Sequence, residues 1–116
     1  MRQYSWDSVP EEKIKDDLTR RVINGEKITL GKMGFAKGGV VPEHHHENEQ
    51  FTTVTRGSME FEIEGKKIVL KAGDVLHIPP NVPHRVTALE DSEIVDIFAP
   101  VREDWRSGTD DYIRRK

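Results

Sequence analysis

From Lys27 onward the chain is a succession of short β-prone runs, each cut off by glycine or proline. Such punctuation leaves no room for long helices and predicts strands joined by tight turns. Lys27 to Phe35 alternates Ile28 and Leu30 with, after Gly31, Met33 and Phe35. Gly38-Gly39 breaks the chain before a strand that opens at Val40-Val41 and carries a run of histidines. Phe51 to Arg56 is rich in threonine and valine and stops at Gly57. Met59 to Glu64 alternates apolar and acidic residues, the pattern of a strand with one buried face, and Gly65 turns it back into Lys67-Ile68-Val69-Leu70 as a hairpin. Ala72-Gly73-Asp74 is a further turn before Val75 to Ile78, and Val86 to Leu89 and Ile94 to Phe98 supply the last strands. About eight strands at this regular spacing predict an all-β sandwich or barrel.

At 116 residues the chain is expected to be a single domain, with a barrel core over about 27–102, an N-terminal arm over 1–26 and a C-terminal tail over 103–116. Residues 9–19 are read as holding a helical turn, with Pro10 in its first turn. In the tail, Trp105, Tyr112 and Ile113 are apolar among polar neighbours and would pin it to the barrel or to a second subunit. Tyr4 and Trp6 in the arm are candidate anchors of a homodimer interface. The net charge of −3, from 18 basic and 21 acidic residues, gives no electrostatic footprint for nucleic acid. Cysteine is absent, which removes disulfides, thiolate metal sites and cysteine nucleophiles together. No apolar run reads as a signal peptide or a membrane span, so a cytoplasmic location is the default expectation, and the length leaves no room for an appended DNA-binding domain.

Chemistry concentrates in two places. The first is Glu43-His44-His45-His46-Glu47-Asn48-Glu49-Gln50, answered far downstream by Pro79-Pro80-Asn81-Val82-Pro83-His84. Imidazoles two apart on an extended segment point to one side, so His44 and His46 can share a cation while His45 points away. The second is Asp96-Ile97-Phe98-Ala99-Pro100-Val101-Arg102. Here an acid and an aromatic share one strand face, and an arginine follows a proline that redirects the chain. Arg102 is suited to gripping a carboxylate through two parallel hydrogen bonds, Phe98 to walling a sugar ring, and Asp96 to moving a proton. Beside a metal, these residues suit a small anionic, polyhydroxylated ligand.

The spacing Gly38, His44, His46, Gln50, Gly57, followed by Gly73, Pro79 and His84, resembles the two motifs of the cupin superfamily, with Gln50 where glutamate is usual and Asn81 where glycine is usual. The resemblance implies a double-sheet jelly-roll barrel. It also implies one divalent transition metal (zinc, nickel, iron, manganese or copper) held by His44, His46, Gln50 and His84. Gln50 is preferred over Glu49 because it keeps the family spacing, and His77 either lines the pocket or is a plain strand residue. A neutral carboxamide with three imidazoles leaves the full charge on the ion, which favours polarising a bound oxygen over activating dioxygen. Asp-x-Phe-x-Pro-x-Arg-Glu-Asp, with Gly57 to Phe61 and Lys71 to Val75, is similar to the pectin-degradation cupins, which convert unsaturated uronates to linear ketonised sugars. That resemblance implies Asp96, Phe98 and Arg102 as the catalytic and substrate-facing set. The rival readings are a dioxygenase or polyketide-cyclase type of cupin, and a non-catalytic metal- or sugar-binding module.

Overall fold

The computed structural model describes residues 1–115. Ten strands run in chain order: β1 (Glu12–Lys15), β2 (Leu18–Asn24), β3 (Thr29–Phe35), β4 (Val40–His44), β5 (Glu49–Arg56), β6 (Ser58–Ile63), β7 (Lys66–Lys71), β8 (Val75–Ile78), β9 (His84–Ala88) and β10 (Ser92–Ala99). They form a six-stranded sheet, ordered β1-β2-β3-β10-β5-β8, and a four-stranded sheet, ordered β4-β9-β6-β7. Every pairing is antiparallel. The eight strands expected from the punctuation are β3 to β10, and the jelly-roll sandwich expected of a cupin is the fold observed. The hairpin across Gly65 closes with a two-residue loop, Glu64-Gly65, whose φ values of 52° and 76° give the twist that tight hairpins require. Between the sheets, Met33, Val54, Met59, Phe61, Val86, Ile94 and Phe98 make one buried core.

Three expectations are corrected. Residues 9–19 hold no helical turn: a short 3₁₀ turn covers Trp6–Ser8, and Glu12–Lys15 is a strand paired with β2. A hairpin with an irregularity between Lys13 and Lys15 buries both Ile14 and Leu18, and it gives this charged stretch a backbone partner that an isolated turn lacks. The supposed arm is therefore partly sheet, which begins at Glu12 instead of Lys27. In β3 the inward residues are Thr29, Gly31, Met33 and Phe35, while Ile28 is 48 % exposed. Gly31 keeps strand parity, so Ile28 and Leu30 belong to the outer face.

Gly31 takes an inward position because the tail needs the space. After β10 the chain passes a cis Ala99–Pro100 bond into a short helix, α1 (Glu103–Ser107), and then a 3₁₀ turn over Asp111–Arg114. A Cβ on Gly31 would lie 2.7 Å from the Trp105 ring. Trp105 and Ile113 join the core of their own chain, so the tail is pinned to the barrel. Arg20 of β2 completes the attachment through Asp110, 2.6 Å away, with both side chains almost fully buried. Gly31→Ala should consequently cost roughly 1–3 kcal/mol by overpacking. Chemical denaturation checks it, and an unchanged midpoint would contradict this packing.

Candidate metal centre

β4 and β9 bring His44 directly opposite His84, and a shift in their register after Val41 turns His44 inward where simple alternation would present Glu43. His46 follows two residues on, and the potential ligand atoms of the three imidazoles all lie within 4.8 Å of one another. Each Nδ1–H donates to a nearby carbonyl: His44 to Pro42 (2.9 Å), His46 to Asn48 (3.0 Å) and His84 to Val82 (2.8 Å). This fixes the tautomer that leaves a lone pair on every Nε2. Burial, followed by the neighbouring His84, lowers the His44 pKa to about 3. Burial and then the Arg102 charge lower that of His46 to about 4, and burial also lowers that of His84. All three rings are therefore neutral near pH 7, the state a cation needs.

Gln50 enters from β5. Its amide nitrogen donates to Thr52 Oγ1 at 2.7 Å and to Asp96 Oδ1 at 3.3 Å, which turns the Oε1 toward His46 Nε2, 3.0 Å away. With the His46 proton on Nδ1, these two atoms face one another as lone pairs. A cation between them resolves that opposition, so the residues present fit a divalent metal. Thr52 stands opposite Asp96, and Gln50 opposite Phe98, in the β5–β10 register. The Thr52 hydroxyl donates to Asp96 Oδ1 at 2.6 Å. Burial raises the Asp96 pKa to about 6, against the opposing pull of Thr52, Arg102 and Gln50. A carboxyl of that strength is populated in both forms near neutrality.

Phe98 lies edge-on to His46, with ring centroids 5.5 Å apart, and beneath the Arg102 guanidinium at 4.6 Å. Arg102 is buried, but the carboxylate it holds in this conformation is internal. Nε and Nη2 donate to the two oxygens of Asp104 at 2.9 and 2.8 Å, and Nη2 also donates to the Tyr112 hydroxyl at 2.6 Å. Burial would lower the Arg102 pKa, but Asp104 and Tyr112 raise it above its usual value. The cavity these groups enclose with His44, His84 and Gln50 measures about 30 Å³.

The structure separates the ambiguous residues. Glu49 points to the outer face, where it accepts from His77 Nε2 at 2.7 Å, so both lie away from the triad; His45 is exposed. Two contributors escaped the sequence reading, Asn48 and Thr52, and Tyr112 was read only as an anchor of the tail. Asn48, buried, donates to the carbonyls of Pro100 and Val101 and ties the histidine loop to the turn before Arg102. Thr52 orients Gln50, and Tyr112 stacks on His44 with centroids 4.4 Å apart. Only strand parity with Gln50 could have flagged Thr52.

Opposite pH dependences follow for metal-free protein. The histidine pKa values lie below the ordinary 6.5, so their contribution to stability is present above it and is lost as pH falls toward 3–4. Asp96 runs the other way: its contribution is full below 3.8 and lost as pH rises through about 6. Asp96→Asn should gain stability relative to wild type between pH 4 and 7. At about 1.4 kcal/mol per pH unit, the gain is capped near 3 kcal/mol. Denaturation across that range tests it, and a constant difference would refute the buried-acid assignment.

A family model described as "Cupin domain" matches residues 31–98, more than half of the chain. The sequence is 36 % identical over 109 residues to the pectin degradation protein KdgF of Dickeya dadantii, covering 90 % of this chain and 99 % of that protein. Among solved structures, KdgF from Halomonas sp. superposes with a TM-score of 0.80 at 30 % identity, covering 85 % of this chain and 94 % of the other. An RmlC-like cupin from Shewanella frigidimarina gives 0.83 at 28 % identity, covering 90 % and 96 %. Fold, histidine cluster and sequence likeness converge: this chain belongs to the cupin family, in the group of the pectin degradation protein KdgF.

Proposed function

We propose that this protein is a cytoplasmic, metal-dependent isomerase that converts 4,5-unsaturated uronates, the fragments lyases leave from pectin or alginate, into linear ketonised sugars. The carrying observation is Asp96, a buried carboxyl with a pKa of about 6, linked through Gln50 to the three-histidine cluster. The likeness to a pectin degradation protein supports the same substrate class. His44, His46 and His84 through Nε2, with Gln50 through Oε1, would hold the metal. When bound, the ion would supply Lewis-acid polarisation of a substrate oxygen.

The remaining roles fall to the chain. Arg102 donates from Nη2 to the substrate carboxylate, and Phe98 lies against the sugar ring. Asp96, as the carboxylate, takes the proton of the anomeric hydroxyl. The bond between the anomeric carbon and the ring oxygen breaks, leaving an aldehyde and an enolate. Asp96 then returns the proton to the alkene carbon at position 4, and the enolate becomes a ketone. Protons balance, and no oxidant or reductant enters.

Loss of the alkene absorbance of unsaturated mono-uronates measures turnover. Asp96→Asn should lower kcat by about 10²–10⁴ with metal retained. Gln50→Ala should weaken metal binding by more than about tenfold, and Glu49→Ala should not. Wild-type protein inert on both pectin- and alginate-derived substrates would sink the reading. Metal lost with Glu49 instead of Gln50 would overturn the ligand assignment.

We further read the protein as a homodimer joined through its six-stranded sheet. On the outer face of that sheet Ile97 pairs with Phe51 and Phe51 with His77, and Phe51 and Val75 are 46 % and 62 % exposed. Tyr4 is exposed as well, while Trp6 lies under Lys32 of its own chain. Light scattering should return the mass of two chains for wild type and of one for Phe51→Glu. A monomeric wild type would refute the assembly.

A further inference from the structure

The cavity at the histidine cluster, about 30 Å³, has room for only two or so water-sized spheres. Pockets that bury small organic ligands usually measure about 300–1,000 Å³. A sugar acid therefore cannot enter while the C-terminal turn keeps this position. Tyr112 fills the space: its ring stacks on His44 and its hydroxyl takes the Arg102 Nη2 proton at 2.6 Å. The buried Trp105 indole N–H faces the same hydroxyl but makes no hydrogen bond of normal geometry to it. The phenol leaves this donor under-satisfied, and a ligand oxygen could answer it better.

We propose that Tyr112 is a built-in occupant of the substrate's carboxylate position, and that Trp105 Nε1 is a second donor to that carboxylate beside Arg102. The proposal rests on the uronate reading above. Substrate acid displaces the phenol, its oxygens take Arg102 Nη2 and the Trp105 N–H, and the single turn Asp111–Arg114 swings outward, drawing the buried Ile113 from the core. Gly108 precedes that turn at a φ of 76°, and the buried Arg20–Asp110 pair anchors its start. Two amides inside the turn report whether it stays wound, since a lone turn lifted from the barrel is not stable: Ile113 N–H donates to Asp110 at 3.2 Å and Arg115 N–H to Tyr112 at 3.2 Å. A competing internal ligand raises the apparent dissociation constant by the reciprocal of the fraction of molecules it leaves open.

Two conservative variants give opposite signs. Tyr112→Phe keeps the ring on His44 but removes the oxygen on Arg102, and it should lower KM several-fold with kcat little changed. Trp105→Phe keeps an aromatic against Gly31 but removes the N–H, and it should raise KM roughly tenfold. A purely structural role for either residue would not split the constants in opposite directions. Independently of turnover, saturating wild type with galacturonate should speed hydrogen exchange at the Ile113 and Arg115 amides and leave β5 and β10 unchanged. An unchanged or raised KM in Tyr112→Phe, an unchanged KM in Trp105→Phe, or exchange unaffected by galacturonate overturns the proposal, even if the enzyme turns over unsaturated uronates. If wild type fails to turn them over yet exchange still rises, the isomerase reading falls while the gate stands as an acid-binding device.

Discussion

Because β10 is hydrogen-bonded on both sides, to β3 and to β5, its register is over-determined, and the site inherits that certainty. One residue of slip would send Asp96 and Phe98 to the outer face and bring Ile97 inside. The same register sets Thr52 against Asp96 and Gln50 against Phe98. The amide of Gln50 is then oriented by groups on two strands that cannot drift relative to one another. The other half of the site comes from the opposite sheet, through the β4–β9 pair. The metal position therefore lies between two rigid layers, and its one loop ligand, His46, is steadied by the hydrogen bonds of Asn48 to Pro100 and Val101.

The C-terminal segment shows how a small barrel closes its open end. Arg102 and Arg20 are both nearly inaccessible, and each is answered by a carboxylate of the tail, Asp104 or Asp110. Burying such pairs yields little net stability, but removing one partner typically costs about 3–5 kcal/mol. The tail is thus held less by attraction than by the cost of leaving a guanidinium unpaired in the interior. Trp105 adds stacking against both cations, at 4.4 Å from Arg20 and 4.5 Å from Arg102.

Strand order and site spacing were legible because period-two alternation and glycine punctuation are local signals. Met59 to Glu64 could be nothing but a half-buried strand, and β6 is that strand. The fold family followed from spacings that no single element explains. What stayed hidden was set by distant packing. Gly31 reads as a break in alternation until Trp105, seventy-four residues away, is seen against it. Glu12 to Lys15 is too charged to announce a strand, and it becomes one through β2. Tyr112 was legible as an anchor, but its place on His44 and Arg102 depends on a turn whose direction no local pattern encodes.

Each imidazole is steered by a main-chain carbonyl two residues away: His44 by Pro42, His46 by Asn48 and His84 by Val82. Many metal sites instead use carboxylates for this task, and those anions dilute the field of the ion. Here the steering groups and the four candidate donors are all uncharged at neutral pH, and Asp96 reaches them through its hydrogen bond from Gln50. Filling the centre would then add positive charge beside Asp96, whose carboxyl is protonated in part near neutrality, and drive that proton off. The heat of loading would vary with the ionisation enthalpy of the buffer near neutral pH and cease to vary once Asp96 is fully ionised.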